Sequence, residues 1–124
     1  MKKILIIYTG GTIGMHHDAK GALKPFDFGK VSEQVPELNH LGCKLSHHAF
    51  DELIDSSNVT PQFWVKLAKT IDKYYDKVDG FVILHGTDTM AYSASALSFM
   101  LENLAKPVIF TGSQLPLGAI RTDA

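Results

Sequence analysis

The chain has 124 residues, a length that suits one domain rather than two. With 45% hydrophobic and 20% charged residues it has the make-up of a globular domain, which excludes a disordered tail, a collagen-like fibre and a low-complexity linker. Twelve basic against thirteen acidic side chains give a formal charge of −1, so there is no general basic field for nucleic acid, and the single cysteine, Cys43, excludes an internal disulfide and suits a reducing compartment.

Two lysines and the run Ile4-Leu5-Ile6-Ile7 open the chain in the manner of a secretory signal. The run stops at Tyr8-Thr9-Gly10-Gly11, short of the roughly 7–15 apolar residues such a signal needs. No stretch approaches the ~20 apolar residues of a membrane span, so a cytoplasmic address and no membrane partner are expected. Residues 4–8 are aliphatic without alternation, which predicts a strand covered on both faces, as in a parallel sheet. Three glycines in Thr9-Gly10-Gly11-Thr12-Ile13-Gly14 end it sharply. Residues 15–28 are polar and glycine-containing, and read as a long loop. A short amphipathic helix is expected over residues 29–34, stopped by Pro36, and a strand within residues 43–53.

Thr60-Pro61 is a helix start, threonine as N-cap and proline at the first helical position. Phe63, Leu67, Ile71 and Tyr74 then recur at helical spacing to about Lys77. Residues 81–84 form a second buried strand, ending at His85-Gly86-Thr87-Asp88-Thr89. A helix to about Asn103 follows, with Ala91, Ala94 and Ala96 small enough to pack closely on a sheet. Residues 107–110 form a third buried strand, ending at Thr111-Gly112-Ser113-Gln114. The class is therefore α/β: three layers, a largely parallel sheet flanked by helices. Each strand runs into glycine, threonine, serine or aspartate, and ligands of open α/β sheets bind beyond the carboxyl ends of the strands.

Several familiar chemistries do not fit. The first glycine-rich segment lacks both the Gly-Lys-Ser/Thr ending of a phosphate loop and the Gly-x-Gly-x-x-Gly dinucleotide spacing. His16-His17 sit in the predicted loop, and His47 and His48 would point to opposite faces of a strand, so neither pair has metal-ligand spacing. Trp64 and Tyr74-Tyr75 lie on a predicted helix as core or interface residues. No Gly-x-Ser-x-Gly elbow is visible. Asp88 or Thr89 could cap the following helix, but a cap needs one such residue and three are present. What remains is a hydroxyl-based site of Thr12, Ser56, Thr87 and Asp88. A threonine hydroxyl attacks only when a base takes its proton, and Asp88 alone is a weak base at neutral pH. The residues alone leave open which of Thr12 and Thr87 is the nucleophile.

The segments Tyr8-Thr9-Gly10-Gly11-Thr12-Ile13-Gly14-Met15, Asp55-Ser56-Ser57 and Asp79-Gly80-Phe81-Val82-Ile83-Leu84-His85-Gly86-Thr87-Asp88-Thr89-Met90-Ala91-Tyr92 resemble the bacterial L-asparaginases, the cytoplasmic type I branch more than the periplasmic one. The resemblance covers nearly the whole chain and continues through residues 93–103 and 106–116. It implies hydrolysis of L-asparagine to L-aspartate and ammonia by a covalent two-step route without metal or organic cofactor. It also implies Thr12 as nucleophile, with Thr87 and Asp88 in the catalytic group. Asp88 would grip the substrate's α-ammonium, and Ser56 with Asp55 and Ser57 would hold its α-carboxylate, with Gly86 beside them. Each role fits its chemistry, since an anion suits an ammonium, and hydroxyls and amides suit a carboxylate or an oxyanion.

The same resemblance implies that residues 1–124 are the N-terminal domain of a longer protein, incomplete at its C-terminal end and without the smaller C-terminal domain. Family members are more than twice this length, assemble as homo-oligomers (dimers or tetramers), and carry beyond position 124 the lysine that supports the second threonine. The family's mobile loop has a tyrosine shortly after a glycine, where this chain has Gly21-Ala22-Leu23. The 124 residues alone are expected to turn over little substrate. A rival reading, from a different class, is a small-molecule-binding α/β module or partner-dependent fragment that uses the same hydroxyls without chemistry.

Overall fold

An unbroken aliphatic run has no face to offer water, and Ile4, Leu5, Ile6 and Ile7 accordingly lie in an inner strand of a sheet. The computed structural model describes residues 1–124, apart from the side chains of Ser32 and Gln34. In chain order its elements are β1 (Lys2–Tyr8), β2 (Met15–His17), β3 (Leu23–Pro25), α1 (Val31–Gln34), β4 (Cys43–Ala49), α2 (Pro61–Tyr74), β5 (Gly80–Leu84), α3 (Met90–Met100) and β6 (Val108–Thr111). Short 3-10 turns lie between them, including Thr12–Gly14 and Ser56–Asn58.

The main sheet has the order β4-β1-β5-β6, and every pair in it is parallel. Its register is level at one end. Tyr8 lies opposite both Ala49 and Leu84, and Leu84 lies opposite Thr111, so all four strands stop in one row. From β1 the chain moves to β4 on one side, whereas from β5 it moves to β6 on the other. The connections therefore diverge between β1 and β5, the topological switch point where doubly wound sheets bind ligands.

One face of the sheet carries Leu5, Ile7, Phe81 and Ile83 against Phe63, Leu67 and Ile71 of α2 and Leu97 of α3. Burying each such side chain contributes about 1.5–3 kcal/mol, an upper figure for chains whose unfolded state is compact. The Thr60 hydroxyl accepts the Phe63 amide at 3.4 Å and Pro61 opens α2, as the sequence predicts. His48 packs on Phe50 and Tyr74 while His47 faces outward, also as predicted. Trp64, Tyr74 and Tyr75 pack half-buried against this core. The opposite face rests Tyr8 and Leu84 on Ile13, Phe26, Phe28 and Val31. Ile4, Ile6 and Val82 are only partly covered there, so the two faces of β1 and β5 are unequally buried.

Three expectations need correction. Residues 15–28 hold a β-hairpin rather than one long loop: β2 and β3 pair antiparallel, with Met15 opposite Pro25. The Asp18 carboxylate accepts the amides of Lys20 and Ala22 and pairs with Lys24 at 2.9 Å, while Gly21 supplies φ +79°. Within residues 1–124 β6, expected as a buried strand, stands at the edge of the sheet, with Ile109 56% exposed and Val108 and Phe110 half-buried. α3 ends at Met100, short of Asn103, which takes φ +53° just beyond it. Among the described residues no helix is long and apolar enough to cross a membrane.

Candidate active site

Because the strands stop level, the four loops that follow them start at one height and meet over the switch point. After β1, Thr9 is a fastener: it is buried, and its amide and hydroxyl both donate to the Leu84 carbonyl, at 3.1 and 2.8 Å. Thr12, the other threonine flanking the glycines, faces the cavity instead. Between them Gly11 takes φ +89° and passes so close to the next loop that a Cβ there would stand 2.7 Å from the Gly86 nitrogen. Only glycine allows that contact.

After β4, Asp55 caps the turn Ser56–Asn58, its Oδ1 accepting the Ser57 amide at 2.9 Å and the Ser57 hydroxyl at 2.8 Å. Those two bonds, the amide first, hold the Asp55 carboxyl below its ordinary range. Ser56 is buried and stitched to the β5 loop. Its Oγ accepts the Asp88 amide at 3.2 Å, and its carbonyl accepts the Thr89 hydroxyl at 2.6 Å. An oxygen that accepts an amide retains its own hydrogen to donate. Thr89 stands at the N-cap position of α3 but makes no capping bond, its hydroxyl being committed to Ser56. Gly86 is required where these loops cross, since a Cβ would stand 2.5 Å from Ser56 Oγ.

Behind this loop His85 is 1% exposed. Its Nδ1 bonds the Gly86 carbonyl, which can only accept, so Nδ1 carries the proton. Nε2 is then the acceptor of the Ser93 hydroxyl at 2.8 Å, and Ser93 Oγ in turn accepts the Trp64 Nε1–H at 2.9 Å. The imidazole is neutral and fully partnered, and burial pushes its pKa below the ordinary value despite the Gly86 bond. After β6, Ser113 is buried and Gln114 Nε2 donates to Thr87 Oγ1 at 3.0 Å.

These loops enclose a cavity of about 280 Å³. Of the site residues read from sequence, Thr12, Asp55, Ser56, Gly86, Thr87 and Asp88 line it together, and Ser57 lies outside the lining with its hydroxyl on Asp55. Gly10, Gly11, Met15, Leu53, Ile54, Ser113 and Gln114 complete the wall. In the sequence Ser113-Gln114 stand at a strand end but do not mark themselves as site residues, because a lone amide carries no recognisable chemical spacing. Asp55 and Asp88 are the ionisable lining groups among the described residues, and no lysine, arginine or histidine joins them. The chamber thus offers carboxylates to a cation, and hydroxyls and amides to an anion. A larger groove, about 490 Å³, lies between the C-terminal ends of α2 and α3, away from the strand ends and the hydroxyls. No group of three or more metal-ligating side chains gathers among the described residues.

Fold and site together define a doubly wound α/β domain whose switch point holds two threonines and an aspartate. The chain belongs to the asparaginase family: the family's profile "Asparaginase, N-terminal" matches residues 3–124. It is 52% identical over 126 residues to L-asparaginase 1 of Escherichia coli (strain K12), covering 98% of this chain and 37% of that protein. The crystal structure of L-asparaginase I from Vibrio cholerae O1 biovar eltor superposes with a TM-score of 0.86 at 53% identity, covering 98% of this chain and 37% of that one. A probable cytoplasmic L-asparaginase from Campylobacter jejuni gives a TM-score of 0.80 at 35% identity, covering 99% of this chain and 36% of that one. The chain therefore spans little more than a third of the length of these relatives.

Proposed function

We propose that the protein to which these residues belong is a cytoplasmic amidohydrolase that converts L-asparagine to L-aspartate and ammonia. The observation that carries this reading is the convergence of Thr12, Ser56, Thr87 and Asp88 on one chamber at the switch point, in a chain of the asparaginase family. Asp88 binds the substrate's α-ammonium, and the Ser56 hydroxyl donates to its α-carboxylate, with Asp55 fixing the Ser56 turn and Ser57 closing that cap. Thr12 Oγ attacks the side-chain amide carbon. The C–N bond breaks, ammonia leaves with the proton given up by Thr12, and water then cleaves the Thr12 ester to release aspartate. Backbone amides freed by the glycines stabilise the oxyanion of each step.

The proton acceptor needs a strong base behind it, and none lines this chamber among the described residues. We infer that it is Thr87 backed by a lysine from the rest of the protein, that residues 1–124 are the N-terminal domain of that protein, and that it works as a homo-oligomer without metal or organic cofactor. The absence of a lining base among the described residues favours a second reading for the 124 residues by themselves, a binding module without turnover. Ammonia release from L-asparagine tests both. The full-length protein is expected to be active, and Thr12→Ala to lose at least about a thousandfold in kcat. The 124-residue chain alone is expected to release no ammonia. Full activity in Thr12→Ala would remove the nucleophile assignment, and an inactive full-length protein that still binds asparagine would favour the binding module.

A further inference from the structure

The segment after β6 touches the surroundings of both threonines. Gln114 Nε2 donates to Thr87 Oγ1 at 3.0 Å, and the Leu117 amide donates to the Ile13 carbonyl, next to Thr12, at 3.0 Å. One side chain closes this segment on itself. The Asp123 carboxylate accepts the Gln114 amide through Oδ2 and the Leu115 amide through Oδ1, each at 2.9 Å. Two charge-assisted bonds to consecutive amides leave the Gln114 backbone little rotation, and the Thr122 hydroxyl adds a third tie, to the Leu115 carbonyl at 3.4 Å. The same two amides, Gln114 first, hold the Asp123 carboxyl below its ordinary range, so the grip persists at neutral pH. Asp123 itself does not line the cavity.

The effect reaches the Thr87 proton. A hydroxyl oxygen that receives an amide N–H has its own hydrogen free to donate, and the donor also favours the oxygen when it loses that hydrogen. Gln114 can impose this only while its backbone stays in place. We propose that Asp123 is a positioning residue for Thr87: it fixes the backbone of Gln114, and the Gln114 amide fixes the direction of the Thr87 hydroxyl. The proposal rests on the amidohydrolase reading and adds to it a residue outside the chamber.

The test uses the full-length protein. Asp123→Asn replaces one acceptor oxygen with an NH2 group that faces a backbone N–H. It is expected to lower kcat for asparagine about tenfold while KM stays within about twofold, the pattern of a group that acts on the reacting state. In a Gln114→Ala background the same substitution is expected to have no further effect, because the path to Thr87 is already cut. Gln114→Glu, which leaves the Asp123 grip intact, should reproduce the kcat loss at an unchanged melting temperature, since glutamate cannot donate to Thr87. Equal losses from Asp123→Asn in both backgrounds overturn the proposal, and so does full kcat in either Asp123→Asn or Gln114→Glu. If the unsubstituted protein hydrolyses no asparagine, the functional reading fails and a crystal structure of Asp123→Asn decides the positioning. Separation of Gln114 Nε2 from Thr87 Oγ1 beyond about 3.5 Å supports it. An unchanged bond overturns it.

Discussion

Ser93 has an oxygen that the Trp64 N–H needs and a hydrogen that the His85 Nε2 needs, and it is buried between them. Ser93→Ala leaves the buried His85 acceptor without a partner, at about 1–3 kcal/mol, and the half-buried Trp64 donor without its own, at less. The expected outcome is a lower urea midpoint, followed by the fluorescence of Trp64, the chain's single tryptophan. An unchanged midpoint would mean that water replaces the hydroxyl. The sequence places His85 beside a glycine at a strand end without giving it a role. Burial and two fixed hydrogen bonds, to the Gly86 carbonyl and the Ser93 hydroxyl, make it a structural imidazole, and that could not be read from spacing, because Ser93 and the Trp64 that donates to it come from two different helices. Thr9 and Thr12 divide in the same way. The pattern puts Thr12 in a hydroxyl-based site, and the register, which hands the Leu84 carbonyl to Thr9, shows that Thr9 is a fastener.

At the scale of elements, what could be read was what repeats. The inner strands, the cap at Thr60 and the apolar face of α2 follow from periodicities of several residues. The hairpin of β2 and β3 escaped, because strands of three residues carry no alternation to detect and their pairing depends on Asp18. Asp18→Ala removes two acceptor bonds to the turn and the ion pair with Lys24. The expected result is faster proteolytic nicking within residues 17–24, with little change in global unfolding, since β2 and β3 form their own sheet. A global loss of stability instead would show that the hairpin holds Phe26 and Phe28 in the second core.

Across the whole molecule, acid should weaken the fold in two stages. Burial lowers the pKa of His85 and of His48 below the ordinary 6.5, so the unfolded chain takes up those protons first. Their contribution is complete above 6.5 and is lost as pH falls through the folded values. Asp18, Asp55, Asp79 and Asp123 are held below the ordinary 3.8 by hydrogen bonds, and their contribution is present above that value and lost as pH falls through the lower folded ones. Urea midpoints measured from pH 8 to 3 are expected to be level at the top, to decline below 6.5 and to decline again below 3.8. A midpoint that rises between pH 6.5 and 5 would contradict the neutral assignment of His85.

The level row of Ala49, Tyr8, Leu84 and Thr111 has a consequence for how this fold tolerates change. Strand length works here as a ruler. One residue added to β1 would carry Thr12 outward by about 3.3 Å and turn every following side chain to the wrong face, while the opposite loops stayed where they were. Two added residues would restore the facing but double the offset. Insertions and deletions are therefore admissible in the hairpin turn and around residues 36–42, but not within the inner strands, whose lengths hold the chamber in alignment.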